Sequence, residues 1–202
     1  MGRDFIYLAS ASPRRRALLE QIGVPFEARP AEISEARRPR ERPGAYVTRL
    51  AREKADKIWD DVAASLARPV LAADTAVVID RRVLGKPRDT EEALQMLADL
   101  SGRSHSVLTA VVVRHGRRVS SELSSSKVRF RATTEQERLA YCATGEPLGK
   151  AGSYAIQGMG GIFIEHISGS YSSVMGLPVA VTALLLQDFG FPTWLHTTER
   201  PA

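Results

Sequence analysis

Apolar and polar positions follow two rhythms along this chain, and each marks a kind of element. Phe5–Ser10 is a short apolar run that reads as a strand. A helix follows from Ser12, with Leu18, Leu19 and Ile22 as its apolar stripe. Ser12 stands at the N-cap, Pro13 at the favoured first helical position and Gly23 where the helix closes. Val24–Arg29 predicts a second strand, leading into "PAEISEARRPRERP", a polar, proline-rich loop. From about Gly44 to Ser65, the positions Val47, Leu50, Ala51, Lys54, Ile58 and Val62 fall on one face of a long helix. "RPVLAADTAVVID" (68–80) is strand-like, with a turn at Asp80–Arg82 and a short return through Val83–Leu84. "RDTEEALQMLADLSG" is a helix in which Asp89 and Glu92 are placed for a capping box and Gly102 for the end. Residues 105–132 read as two strands joined by a hairpin near His115–Gly116. "TTEQERLAYCATG" is a helix capped by Thr133 or Thr134 and closed by Gly145. "SYAIQGMGGIFIEHISGSY" mixes strand residues with glycine turns. The last helix spans about Pro178–Phe189, and the tail beyond Pro192 is expected to be loose.

Strands and helices interleave, and hairpins are present too. The expected class is therefore α/β (α+β), a mixed central sheet flanked by helices, rather than a strictly parallel sheet. No linker splits the chain, so residues 1–202 are expected to form a single domain with the tail 192–202 outside its core. Hydrophobic content of 44% and charged content of 25% suit an ordinary soluble protein. No run approaches the roughly 20 apolar residues of a membrane span. The start lacks the long apolar core of a signal peptide. Cys142 is the only cysteine, which excludes an intrachain disulfide and a thiolate metal cluster. Together these point to the cytoplasm. The net charge of +5 is concentrated in "SPRRR" and in "ARRPRERP" (36–43), which fits a nucleic-acid partner, an anionic small substrate or a solvated basic surface.

Four features break local rules. Arg14, Arg15 and Arg16 crowd a helix N-terminus that already carries about half a positive charge. An anion resolves the conflict by accepting from helix N–H groups and from a guanidinium. Successive helix residues point about 100° apart, so one or two arginines face the anion and the rest face water. Lys54 interrupts a buried-looking stripe, so it either snorkels past the core edge or points at negative charge. Asp74 sits among small and β-branched residues, where a bare charge is costly. It is either tied to backbone N–H groups or aimed at a metal or water, with Glu32 or Glu35 as a second carboxylate. Oxygen ligands alone suit a hard ion such as Mg²⁺. Lys86 is held in a turn by Gly85 and Pro87, and "GMGG" (158–161) is either a phosphate-approach loop or a tight turn. The histidines His105, His115, His166 and His196 show no ligand spacing, and Ser10, Ser12 and Ser126 lack a Ser–His–Asp context.

The order and spacing of "LASASPRR", "YVTRLAREKA", "ADTAVVID", "LGKPRDTEEALQML", "LSGRSHSVLTAV" and "KAGSYAIQGMGGIFIEHISGSYSSVMGLPV" closely resemble the Maf family of nucleoside triphosphate pyrophosphatases, historically called septum-formation inhibitors. The resemblance runs from about Ile6 to about Leu186. "KAGSYAIQG" followed by "GSYSSVMGLP" looks like the branch that hydrolyses dTTP and UTP, whereas the branch preferring 7-methyl-GTP typically has a glutamate where Gln157 stands. The resemblance implies a deep-cleft fold similar to the inosine triphosphate pyrophosphatases. It also implies cleavage to a nucleoside monophosphate and pyrophosphate, a divalent cation (Mg or Mn), a cytoplasmic location and often a homodimer. It implies that Asp74 is the proton acceptor and a metal ligand with Glu35. Arg14, Thr75 and Gln157 would then govern substrate choice, and Ser10, Arg14, Arg15, Lys54 and Lys86 would hold phosphate. Gln157 offers an amide donor and acceptor that match the O4 and N3–H edge of uracil or thymine. The alternative is a non-catalytic nucleotide or nucleic-acid-binding regulator of cell division. The basic segments lack the interleaved aromatics of a single-strand platform, so nucleic acid is not the expected partner.

Overall fold

The computed structural model describes residues 5–64 and 67–191. The expected looseness beyond Pro192, the end of the long helix at Ser65 and the reading of His196 lie outside the described residues. The strands are β1 (Ile6–Leu8), β2 (Phe26–Ala28), β3 (Val70–Ile79), β4 (Arg82–Leu84), β5 (Ser104–His115), β6 (Arg118–Phe130) and β7 (Ile164–Ser168). The helices are α1 (Pro13–Gln21), α2 (Pro43–Val62), α3 (Thr90–Leu100), α4 (Glu135–Ala143), α5 (Tyr171–Met175) and α6 (Val179–Asp188). The strands form one seven-stranded sheet in the order β2-β1-β3-β5-β6-β7, with β4 paired to β3. β1 pairs in parallel with both β2 and β3, whereas β3–β4 and β6–β7 are antiparallel. The sheet is therefore mixed, as the interleaved pattern predicts.

The chain divides into two compact units. The first comprises the described residues within Met1–Asp74, Thr109–Leu123 and Gly176–Ala202. Ile6, Tyr7 and Leu8 are all buried, as expected of a strand with parallel neighbours on both sides. The apolar stripe of α2 is buried at Val47, Leu50, Ala51, Ala55, Ile58 and Val62, with Lys54 among them. Pro43 occupies the first turn of α2, where its missing N–H costs nothing.

The second unit comprises Thr75–Leu108 and Ser124–Met175. Its core joins Val77, Ile79 and Leu84 to the inner face of α3 and to Phe130, Tyr141, Tyr154 and Phe163. Thr134 and Glu137 form a complete capping box on α4. The box on α3 is only half made. Asp89 accepts from the Glu92 N–H, but the Glu92 carboxylate turns to the backbone and guanidinium of Arg88 instead. The β3–β4 turn places Asp80 and Arg81 at φ 50° and 63°, the left-handed geometry of a tight hairpin.

Candidate functional site

The first unit's chemistry gathers beyond the carboxyl end of β1. The chain leaves β1 through α1 to reach β2 on one side, and returns through α2 to β3 on the other. Such a reversal opens a place at the strand's carboxyl end where side chains and a helix N-terminus converge. Leu8 pairs with Leu71, so Asp74 extends three residues past that level along β3. Ser10 and Ser12 lie between β1 and α1.

Ser12 holds the N-cap position of α1, but its side chain makes no capping bond. Beside it, the buried Ser10 hydroxyl accepts from the Ser12 N–H at 3.2 Å and from Arg15 Nη1 at 3.1 Å. Arg15 Nε donates to the Gly176 carbonyl at 2.8 Å, which fixes the guanidinium over the helix start. Burial pulls the pKa of Arg15 down, opposed by the charges of Asp74 and Glu35 and reinforced by Arg14. Burial lowers Arg14 as well. Arg16 is half-buried, and its Nε is enclosed without a hydrogen-bond partner among the described residues.

Lys54 reaches from the buried face of α2 into this cluster. Its Nζ stands 2.6 Å from Asp74 Oδ1 and 2.6 Å from Glu35 Oε1. The lysine neither snorkels nor lies idle, because it is the partner that lets Asp74 remain in the middle of a strand. Lys54 and Asp74 are each 7% exposed. Burial pushes the Asp74 carboxyl above the ordinary range, although Lys54 and Arg15 pull it down and Glu35 adds to the rise. A carboxylate with a raised pKa is a stronger base once ionised.

Glu35 is held by a loop that α2 secures. The Tyr46 hydroxyl donates to the Glu35 carbonyl at 2.9 Å, and Arg49 Nη2 donates to the Ala36 carbonyl at 3.1 Å. Arg49 also grips Glu41 with two hydrogen bonds, at 2.6 and 2.8 Å, and pairs with Glu53. Arg38 pairs with Glu53, and Arg37 donates to the Glu41 carbonyl. Much of the basic segment 36–43 is thus matched by carboxylates and carbonyls of its own neighbourhood. Tyr46 and Arg49 carry no sequence signal of this role beyond their place on the outer face of α2.

The second unit holds Thr75, Lys86 and Gln157. Thr75 is half-buried on β3, Lys86 is exposed just after β4, and Gln157 is exposed in a turn. The preceding Gly85 carbonyl accepts from the Gly152 N–H at 3.0 Å, which anchors the "LGKP" turn. The "GMGG" stretch opens a short 3₁₀-helix, Met159–Phe163, with Gly158 at its N-cap, and its start is gripped by Glu146, a residue that no sequence pattern singled out. The structure thus brings Ser10, Arg15, Glu35, Lys54 and Asp74 together in the first unit.

Among the described residues, no group of three or more His, Cys, Asp or Glu side chains could cage a metal ion. The two carboxylates that meet Lys54 nevertheless fit a Mg²⁺-type ion, which commonly takes one or two carboxylates and completes its shell with water and substrate phosphates. Each carboxylate meets Lys54 through one of its two oxygens. Among the described residues, no helix is long and apolar enough to cross a membrane.

A solved structure described as a nucleoside-triphosphatase / dITP/XTP pyrophosphatase, from Mycobacterium abscessus, aligns with 98% of this chain and 99% of its own, at 14% identity and a TM-score of 0.47. A dTTP/UTP pyrophosphatase of Chromobacterium violaceum is 51% identical over 188 residues, covering 92% of this chain and 95% of the relative. A dTTP/UTP pyrophosphatase of Escherichia coli O157:H7 is 50% identical over 184 residues, 91% of this chain and 92% of the relative. The profile of the Maf-like protein family matches residues 5–189, a span that holds Ser10, Arg14, Arg15, Glu35, Lys54, Asp74, Thr75, Lys86 and Gln157. The chain belongs to the Maf-like protein family.

Proposed function

We propose that this protein is a nucleoside triphosphate pyrophosphatase that hydrolyses dTTP and UTP to the nucleoside monophosphate and pyrophosphate. The observation that carries the mechanism is the buried ammonium of Lys54 shared between Asp74 and Glu35, next to the Arg15 guanidinium at the start of α1. Relatives named dTTP/UTP pyrophosphatase at about half identity support the choice of substrate.

Pyrophosphate leaves with negative charge growing on its oxygens, so preorganised cations are the natural catalyst. Arg14, Arg15 and the Ser10 hydroxyl hold phosphate at the N-terminus of α1, where the helix N–H groups add their partial positive charge. Lys54 neutralises the carboxylates in the free protein and turns toward phosphate when the substrate brings stronger negative charge. Asp74 takes the proton of the attacking water, and burial gives it the basicity to do so. Asp74 and Glu35 would hold Mg²⁺ or Mn²⁺, which supplies charge neutralisation at phosphate oxygens and acidifies water. In the second unit, Lys86 holds phosphate, while Gln157 and Thr75 select the base. A donor and acceptor set for uracil or thymine leaves buried groups unpaired against a base of the opposite pattern. The proposal includes a cytoplasmic location and a homodimer.

Asp74→Asn tests it directly. With Mg²⁺ and UTP or dTTP, kcat is expected to fall by about 10²–10⁴, the usual worth of a general base. Products of the wild type are UMP or dTMP and pyrophosphate. Release of UDP and orthophosphate, or near-normal turnover by Asp74→Asn, contradicts the mechanism. Salt-sensitive binding to a random oligonucleotide without turnover would replace it with a binding role.

A further inference from the structure

The turn that carries Gln157 is built on one carboxylate. Glu146, in the loop after α4, accepts hydrogen bonds from the Met159 N–H at 3.1 Å, the Gly160 N–H at 3.0 Å and the Tyr141 hydroxyl at 2.7 Å. The same hydroxyl accepts from the Ala155 N–H at 3.2 Å. These contacts bracket Gln157 on both sides. The glycines of "GMGG" are required by how closely the clamp approaches. A Cβ on Gly158 would stand 2.3 Å from Glu146 Oε2, and one on Gly160 would stand 2.6 Å from the Tyr141 oxygen. Converging backbone N–H groups of this kind gather an anion, and here the anion is the chain's own side chain. Burial pushes the Glu146 pKa up, but the Gly160, Tyr141 and Met159 donors together hold it below the ordinary carboxylate range. Tyr141 is correspondingly raised, by burial and by its bond to Glu146.

We propose that Glu146, working with Tyr141, is the positioning residue for Gln157: its carboxylate fixes the turn so that the exposed amide is presented in one orientation to a pyrimidine base. The inference rests on the reading above, in which Gln157 selects the base. Glu146 does not touch the base. It acts by removing the entropy that an exposed turn would otherwise lose on binding. A glutamine of the same shape cannot replace it, because one of its two terminal groups is an NH₂ that would face a backbone N–H.

The experiment joins backbone exchange with substrate choice. In Glu146→Gln, the Met159 and Gly160 amides are expected to exchange with deuterium about tenfold faster than in the wild type, the effect of losing one charge-assisted hydrogen bond. The ratio of kcat/KM for UTP over CTP is expected to fall about tenfold towards that of Gln157→Ala, mainly through KM for UTP. Formate added to Glu146→Ala restores part of the ratio by filling the vacated carboxylate position. Tyr141→Phe, which removes only the hydroxyl, gives a smaller fall and covers the case in which the Glu146 variants do not fold. Unchanged amide exchange in Glu146→Gln overturns the proposal, as does faster exchange with an unchanged UTP-to-CTP ratio. If the wild type hydrolyses neither UTP nor dTTP, the functional reading falls, and the exchange rates still decide whether Glu146 holds the turn.

Discussion

Lys54 spreads one ammonium over two carboxylates, and the three charges do not weigh equally. Asp74 is buried and already raised above the ordinary range, whereas Glu35 is partly exposed and can recruit water. Replacing Lys54 with Met leaves Asp74 without its strongest attractive partner. Breaking a buried pair on one side costs about 3–5 kcal/mol while the remaining group stays charged. Protonation offers an escape, and its direction sets the pH dependence. In Lys54→Met the folded Asp74 binds its proton more tightly than the unfolded one. The contribution of Asp74 to stability is therefore greatest at low pH and is lost as pH rises through the raised value. Thermal melts are expected to show a larger deficit relative to the wild type at pH 8 than at pH 5; equal deficits would mean that Asp74 is not what the lysine compensates. The break in the α2 stripe at Lys54 was legible because periodicity marks a buried face. Its partner was not, since Asp74 lies 20 residues away on another element and nothing local encodes that meeting. The three consecutive arginines illustrate the same limit. Sequence identifies a helix start that calls for an anion, but the side chain that turns inward is decided by Ser10 and Gly176, and Arg15 is the residue that reaches both.

Elements with their own punctuation were read closely. α2 starts one residue before the expected glycine, and its buried residues include every position of the expected stripe. α4 begins at the Thr134 cap. β1 is three residues long where an apolar run of six was seen, because strand length is set by where a ladder partner ends rather than by side-chain type. The short helix α5 was not anticipated, since five residues carry too little periodic signal. The segment between α4 and β7 was legible only as turns. Its order comes from single close approaches, such as Gly152 against Val77. Gly152 is buried with φ 69°, and a Cβ there would meet three Val77 side-chain atoms at 2.7 to 2.9 Å. Gly152→Ala adds left-handed strain of about 1–2 kcal/mol to overpacking of about 1–3 kcal/mol. Urea unfolding is expected to show a loss of roughly 2–5 kcal/mol, and a loss under about 1 kcal/mol would mean that the core yields at Val77 without cost.

For the molecule as a whole, acid stability divides into two windows with different owners. His105 is 3% exposed, pairs through Nε2 with the Tyr154 hydroxyl at 2.8 Å and leaves a buried Nδ1 without a hydrogen-bond partner among the described residues. Burial lowers its pKa to about 4. The unfolded chain therefore binds this proton near pH 6.5 while the folded chain still refuses it, so stability falls as pH drops from about 6.5 to about 4. A displacement of about 2.5 pH units corresponds to about 3 kcal/mol once both states are protonated. The second window opens lower. Glu41 and Glu137 are both held at about 2 by their hydrogen bonds, first to Arg49 and Arg131 respectively, so their contribution is present above the ordinary glutamate value and is lost as pH falls toward 2. The Glu137 side chain is 35% exposed, so salt screens its loss more than that of buried His105, whereas the Glu41 side chain is 8% exposed and is screened less. Asp74 runs against both trends, because a raised carboxyl pKa favours the folded state in acid. His105→Phe separates these terms, since it keeps an aromatic ring against Phe130 and Tyr154 while removing the titrating group, and the hydrogen bond to the Tyr154 hydroxyl that goes with it is lost at every pH in this range. The slope of unfolding free energy between pH 6.5 and 4 is expected to flatten in this variant, while the loss below pH 4 and its salt dependence stay as in the wild type. An unchanged slope would assign the first window to other groups and deny His105 its place as the buried neutral imidazole that resists acid.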